Sequence, residues 1–406
     1  MFDWPYLTSE MPGIGGRIKE SCDDFRVEEI PLYQPSGSGT HVYFRVTKIG
    51  LATPAAVERI ARHMGVSPHD IGVAGLKDAQ AITSQMMSLE HADPARLAAC
   101  EDAQMKIEVI SHHTNKLRPG HLAANRFAIR IRGAGAAQVA PARAILDVLI
   151  RRGVTNYFGS QRFGARGDTA ALGEALVKGD LDGFTAIFLG RAHPDDPPDC
   201  KAARDAFDTG FYARALDRWP RHYGNERRAL AAYKKKGNAG RAVGAIDKRM
   251  KRLYVSAFQS AMFNEVLARR VQSIDSVFAG DLAQKTDTGG IFTVEDISAE
   301  QPRAESFQIS PTGPVPGYRS SLAEGEPGTI EREALAKFGA NLEDFRRVGA
   351  LKVKGTRRAL RFAMGQPTLS AGSDDRGEYL ELKFSAPSGC YATVALREIM
   401  KTDVTE

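Results

Sequence analysis

In the stretch GVAGLKDAQAITSQ (residues 72–85), a lysine and an aspartate stand side by side, Lys77 and Asp78, just past a short apolar run that ends in glycine. A carboxylate held at the end of a strand in a partly apolar pocket can serve as a nucleophile or a general base. Gly75 lets the backbone turn there or lie close to a ligand. Neighbours on an extended chain point to opposite sides, so Lys77 is free to tune Asp78, to hold a phosphate, or only to shape the turn. A solvated surface turn would use the same two residues.

Two further stretches offer polar groups beside apolar ones. In DDFRVEEI, alternation sets Phe25, Val27 and Glu29 on one face. A glutamate among apolar neighbours is costly unless it is hydrogen-bonded or lies at the strand's exposed end. In KLRPGHLAANRFAIRIRG, Lys116 and Arg118 precede Asn125 and Phe127, which share a face two residues apart. One amide and one ring so placed suit a nucleobase held by its edge and its plane, although Phe127 would serve equally as core.

The elements that must position these residues are readable from period-two runs. Val42, Phe44 and Val46 align in HVYFRVTK; Phe127, Ile129 and Ile131 align with Arg126, Arg130 and Arg132 opposite; Leu380, Leu382 and Phe384 align in YLELKFSA. Each reads as a half-buried strand of an antiparallel or mixed sheet. Between them, LATPAAVERIARHMGV predicts a helix with Thr53 as N-cap, Pro54 in its first turn, a stripe of Val57, Ile60, Ala61 and Met64, and Gly65 at its end. From about Asn156 the texture changes to a glycine- and arginine-rich loop, then alanine-rich basic helices, then a long helix bearing Val255, Phe258, Met262 and Val266. ISPTGPVPGYR reads as a compact loop because of its prolines and glycines. Strand, glycine turn and helix return after Arg361. The pattern predicts an N-terminal α+β unit completed by the C-terminal strand and helix, with a middle domain inserted between them.

The 406 residues, 43% hydrophobic and 26% charged, suit a two-domain globular protein. No apolar run reaches the roughly 20 residues of a membrane span, and the acidic opening MFDWPYLTSE lacks a signal peptide's basic and apolar regions; a cytoplasmic protein is expected. The four cysteines are scattered, and the nine histidines show one adjacent pair but no metal-ligand spacing, so neither a disulfide framework nor a metal is expected. No phosphate-binding glycine motif follows a strand. The net charge of +6 is clustered: between Phe211 and Val255 thirteen Lys and Arg face three acids, and RRVGALKVKGTRRALR (346–361) forms a second basic cluster. Such patches neutralise phosphates, which points to nucleic acid. An enzyme acting on RNA and a non-catalytic RNA-binding protein both fit these features.

In order along nearly the whole chain, DDFRVEE, GTHVYFRVTKIGLATPAAVERIA, GVAGLKDAQAITSQ, KLRPGHLAANRFAIRIR, NYFGSQRFG, LYVSAFQSAMFNEVLARR, GPVPG and FSAPSGCYATVALRE resemble the TruD family of tRNA pseudouridine synthases. The resemblance implies isomerisation of uridine to pseudouridine in tRNA, at position 13 of the D-arm region, with no metal or cofactor. Asp78 matches the family's catalytic aspartate and Lys77 the lysine before it. Phe25, Glu29, Asn125, Phe127 and Phe384 match the residues around the base. The fold implied is α+β: a pseudouridine-synthase catalytic domain with a mixed, largely antiparallel sheet from residues 1–155 and 356–406, and an inserted α/β TRUD domain at 156–355. Lys116, Arg118, Arg162, Lys234, Lys235, Lys236, Arg357 and Arg358 are the candidates for the RNA backbone. A monomer acting on tRNA, tRNA-Glu among the substrates, is expected. Ala124 departs from the family's usual glycine before the asparagine, which a negative φ would tolerate, and the basic region from about Arg191 to Arg252 is longer than in the shorter members.

Overall fold

The protein is described by a computed structural model covering residues 4–346, 348 and 351–402. Three residues of the second basic cluster, 347, 349 and 350, lie outside the described residues. The chain forms two compact units.

The first unit runs from Leu7 to Val154 and resumes at Phe362. Its sheet contains β1 (Phe25–Pro31), β2 (His41–Ile49), β3 (Gly72–Val73), β4 (Ile82–Glu90), β5 (Met105–His113), β6 (Leu122–Arg132) and a late hairpin, Gly365–Asp374 and Gly377–Pro387. The order is hairpin, β6, β1, β4, β2, β5, with β3 paired to β4. Only β1 and β4 run parallel; the other pairings are antiparallel, so the expected mixed, largely antiparallel sheet is what forms.

Alternation assigns the two faces. Val42, Phe44 and Val46 pack with Ala56 and Ile60 of the helix Thr53–Met64. That helix ends as expected at Gly65, whose φ of 74° is the left-handed conformation glycine favours. Its N-cap is Ala52, not Thr53; the threonine hydroxyl is used elsewhere, as described below. On the opposite face Arg26, Glu28 and Arg126 are exposed, and Arg126 pairs with Glu28 at 2.7 Å. Arg132 departs from that solvated pattern. Although it belongs to the polar face, it is buried between Asp24 (2.6 Å) and Asp374 (2.6 Å), and burying it paired in this way satisfies the guanidinium fork. The C-terminal helix Ala392–Met400 packs on the helix Val139–Arg152 and holds the N-terminal segment through Glu398, which accepts from the Leu7 amide (2.8 Å) and the Thr8 hydroxyl (2.8 Å).

The second unit comprises Thr155–Arg361 with residues 4–6; Trp4 stacks on Tyr157 at 5.8 Å. The helix Lys248–Arg270 buries Val255, Phe258, Met262 and Val266 on the predicted stripe. Around it lie shorter helices and a four-stranded sheet ordered Thr356–Ala359, Ile309–Val315, Leu282–Lys285, Ile291–Thr293. The segment expected to be a loop therefore contains a strand. Residues 309–311 bond to Leu282–Lys285, and residues 312–315 to Thr356–Ala359. Both prolines lie inside the strand, Pro311 opposite Ala283 and Pro314 opposite Arg357. The same pairing carries residues 356–361 into this unit, past the boundary at 355 read from the sequence. Among the described residues no helix is long and apolar enough to cross a membrane.

Candidate active site

Strand register gathers the predicted residues of the sheet on one face. Val27 pairs with Phe127 and Glu29 with Asn125 between β1 and β6, and Phe127 pairs with Phe384 of the hairpin. Paired residues share a face, so three buried rings come together. Phe127 and Phe384 lie 5.3 Å apart, and Phe25 meets Phe127 edge-on at 6.3 Å. Beside them the Asn125 side-chain oxygen is buried without a hydrogen-bond partner. A buried acceptor left unsatisfied in this way is costly and marks a place where a ligand's donor fits. Ala124 before it lies in extended β6 opposite Ile30, a conformation alanine accepts.

The segment carrying Lys77 and Asp78 is fastened over this face. Its close approach is at Gly72, where a Cβ would come within 2.4 Å of the Leu117 carbonyl oxygen. Gly75 has no such requirement, since a Cβ there would meet nothing nearer than 3.5 Å. Lys77 reaches down to Glu29, Nζ to Oε2 2.9 Å, with both side chains almost wholly buried. Glu29 also accepts from the Met86 amide at 3.3 Å. The residue that seemed costly on an apolar face is thus paid for by an ion pair, and Lys77 is neither beside Asp78's carboxylate nor open to a phosphate.

Asp78 turns the other way, its side chain one-third exposed. Lys19 approaches it, Nζ 3.5 Å from Oδ2, while also lying 4.4 Å over the Phe25 ring. Lys19 is buried at φ 57° and its carbonyl accepts from the Gln80 side-chain Nε2 at 2.9 Å, so backbone conformation and side-chain bonding together fix the residue that carries the ammonium. Beneath, Lys48 is fully buried and donates to the carbonyls of Leu51 (2.6 Å), Asp78 (3.0 Å) and Lys77 (3.5 Å). Burial pulls this ammonium down to about 8 from 10.5; the Asp78 charge draws it back up and Lys77 opposes that. Thr53 accepts from the Lys77 amide (2.9 Å) and donates to Gln85 (2.8 Å), which in turn donates to the Gly75 carbonyl (3.1 Å). The backbone on both sides of Leu76 is therefore held by side chains from β2, β4 and the first helix.

Lys19, Lys48 and Gln85 were not singled out by the sequence reading, and Thr53 only as a helix cap. Lys48 carried a signal: it is in phase with Val42, Phe44 and Val46, a charge on an apolar face. Lys19 carried none, because it lies in an irregular segment.

The candidates for the RNA backbone divide. Lys116 is half-buried and donates to the His69 carbonyl; Arg118 is exposed. The other candidates belong to the inserted unit. Lys234, Lys235 and Lys236 are exposed, and Arg162 lies half-buried over the Phe158 ring at 5.3 Å. Arg357 is corrected: its buried guanidinium is paired with Glu331 and bonded to the Thr312 carbonyl (2.8 Å), so it is a structural cation and not a phosphate contact. Arg358 is also committed internally, donating to the Asn156 carbonyl (3.1 Å) above the Phe158 ring (4.3 Å).

A half-open carboxylate beside an ammonium, above an aromatic floor with one unsatisfied amide oxygen, can bind a flat polar ring and perform nucleophilic or acid–base chemistry on it. Among the described residues no cluster of three or more metal-ligating side chains accompanies it.

The family model for tRNA pseudouridine synthase D (TruD) matches residues 1–399. The chain is 44% identical over 397 residues to the tRNA pseudouridine synthase D of Geobacter metallireducens, covering 98% of this chain and 97% of that one. It is likewise 44% identical over 400 residues to that of Geobacter sulfurreducens, with the same coverage. A crystal structure of a Methanosarcina mazei protein, assigned as a tRNA pseudouridine synthase D (TruD), matches with a TM-score of 0.84 and 27% identity, covering 98% of this chain and 96% of that one.

Proposed function

Because the chain belongs to the tRNA pseudouridine synthase D family, we propose that it isomerises uridine 13, in the D-arm region of tRNA, with Asp78 as the catalytic carboxylate. Conversion of uridine to pseudouridine in tRNA is the activity of the family; the position and the aspartate are the finer reading. The observation that carries it is the placement of Asp78, partly open and 3.5 Å from Lys19, beside the Phe25, Phe127 and Phe384 rings and the unsatisfied Asn125 oxygen.

A uridine inside a stacked helix cannot meet a carboxylate, so it must swing out, at a cost of a few kcal/mol. The three rings supply an apolar surface that offsets part of that cost, and Asn125 Oδ1 accepts the N3–H of the uracil. Lys19, 3.5 Å from its carboxylate, aims Asp78. Asp78 then starts the exchange, either by attacking ribose or base or by removing a proton. The N1–C1′ bond breaks, the uracil turns within the site, C5–C1′ forms, the C5 proton leaves to solvent and N1 takes up a proton in its place. Nothing is oxidised or reduced, so no redox cofactor is invoked. The substrate is tRNA, tRNA-Glu among them, met by a cytoplasmic monomer.

Tritium release from tRNA labelled at uridine C5 tests the activity, and chemical mapping of the product locates the modified position. Wild-type protein releases tritium from position 13, and Asp78→Asn loses more than about 10²-fold in rate. Release by Asp78→Asn near the wild-type rate removes Asp78 from the mechanism; a product modified elsewhere removes position 13.

A further inference from the structure

The inserted unit presents an aromatic side chain where its fold has no use for one. The short helix Tyr212–Arg218 has two faces. Inward, Tyr212 packs against Phe207 (5.4 Å) and Tyr233 (5.3 Å), and Ala215 and Trp219 are buried. Outward, at spacings of three and seven, stand Phe211, Arg214 and Arg218, which share one side of a helix. Phe211 is 63% exposed, while its neighbour Tyr212 fills the core position.

The backbone that carries the exposed ring is tied at both ends of its peptide unit. The Phe211 amide donates to the Ala206 carbonyl (2.8 Å) and its carbonyl accepts from the Ala215 amide (2.9 Å). Arg214 and Arg218 are exposed and have no side-chain hydrogen bond or ion pair among the described residues. The surrounding sequence, Phe211 to Val255, is the strongly basic window, and Arg221, Lys234, Lys235, Lys236, Arg241 and Lys248 are exposed within it. An apolar protein partner would want more than one ring amid guanidinium groups. A nucleic-acid strand wants a flat surface for a base and cations for the flanking phosphates.

We propose that Phe211 is a stacking platform for an unpaired base of the tRNA substrate, with Arg214 and Arg218 taking the phosphates beside it. A paired base inside a helix has no free face, so the element recognised is a loop or bulge nucleotide. The proposal rests on the reading of this protein as a tRNA-modifying enzyme, and adds a second contact on the inserted unit.

The test is equilibrium binding of unmodified tRNA at fixed salt, with tritium release under saturating protein measured in parallel. Phe211→Ala weakens binding by about 5- to 150-fold, the range for loss of one stacked base, and leaves the saturated rate and the melting temperature at wild-type values. Phe211→Leu, which keeps apolar surface without a ring, loses as much. Phe211→Trp binds as wild type, and the emission it adds over Trp4 and Trp219 is quenched by tRNA. Arg214→Ala and Arg218→Ala each lower the slope of log Kd against log salt by about 1. Wild-type affinity in Phe211→Ala, or full affinity in Phe211→Leu, overturns the proposal. A wild-type protein that binds tRNA but releases no tritium overturns the functional reading instead, while the binding series still decides the role of Phe211.

Discussion

Replacing Lys48 with methionine separates the positioning of Asp78 from the stability of the fold. The ammonium is fully buried, and bringing it from 10.5 to about 8 corresponds to roughly 3 kcal/mol against its charged form. Its two short bonds, to the carbonyls of Leu51 and Asp78, return about 1.5–3 kcal/mol each, as hydrogen bonds to a charged group do. Gain and cost nearly offset, so Lys48→Met, which keeps the volume, lowers stability by only about 1–3 kcal/mol. Activity responds differently. Without the ammonium the Asp78 carbonyl is released, and a displacement of about 1 Å in a reacting group costs on the order of 10²-fold in rate. Tritium release at saturating tRNA, alongside urea melts of the same preparations, measures both. pH gives a second signature. The folded value lies below the unfolded one, so the unfolded chain holds more protons between about 8 and 10.5, and stability rises with pH across that window. Activity falls over the same range as the ammonium that holds the loop is lost. In Lys48→Met both the rise and the associated fall disappear. A variant within threefold of the wild-type rate would refute the assignment of Lys48 as the support of Asp78.

Two other substitutions address the remaining buried charges. Lys77→Met leaves Glu29 buried without its partner and destabilises the protein by about 3–5 kcal/mol, whereas Glu29→Gln with Lys77→Met recovers most of the stability, read by thermal melts; a double variant no more stable than the single one contradicts the pairing. The Arg132 guanidinium holds Asp374 down to about 2, from 3.8. That contribution to stability is present above about pH 4 and is lost as pH falls through about 2, so Asp374→Asn flattens the acid limb of a denaturation profile and leaves neutral-pH unfolding cooperative.

Much of the site was legible because period-two alternation is a local property. It placed Phe25 with Glu29, Asn125 with Phe127, and Phe384 with its strand mates before any pairing was known. What alternation cannot supply is register, and register is what puts Glu29 opposite Asn125 and Phe127 opposite Phe384. The role of Lys77 was open for the same reason: its partner Glu29 is 48 positions away. Arg357 read as a surface cation because the carboxylate that buries it, Glu331, belongs to a distant helix. Ile309–Val315 read as a loop because of its prolines and glycine, whereas its strand form depends on pairing with two distant segments that the local sequence does not announce. Lys19 depends on a left-handed backbone at a non-glycine residue, which no sequence pattern announces.

The order of strands in the sheet has a consequence for how the protein is made. β6 is flanked by β1 on one side and by the strand Gly377–Pro387 on the other, yet 245 positions separate Arg132 from Gly377. At about 5–20 residues per second, the ribosome leaves that edge of β6 without its partner for roughly 10–50 s while the inserted unit is synthesised. An open strand edge is a site of mispairing between nascent chains, and Arg126, Arg130 and Arg132 along it are the kind of charged residues that discourage such contacts. Phe384 arrives only with the last strand, so a chain released before it carries Asp78 but lacks one wall of the site.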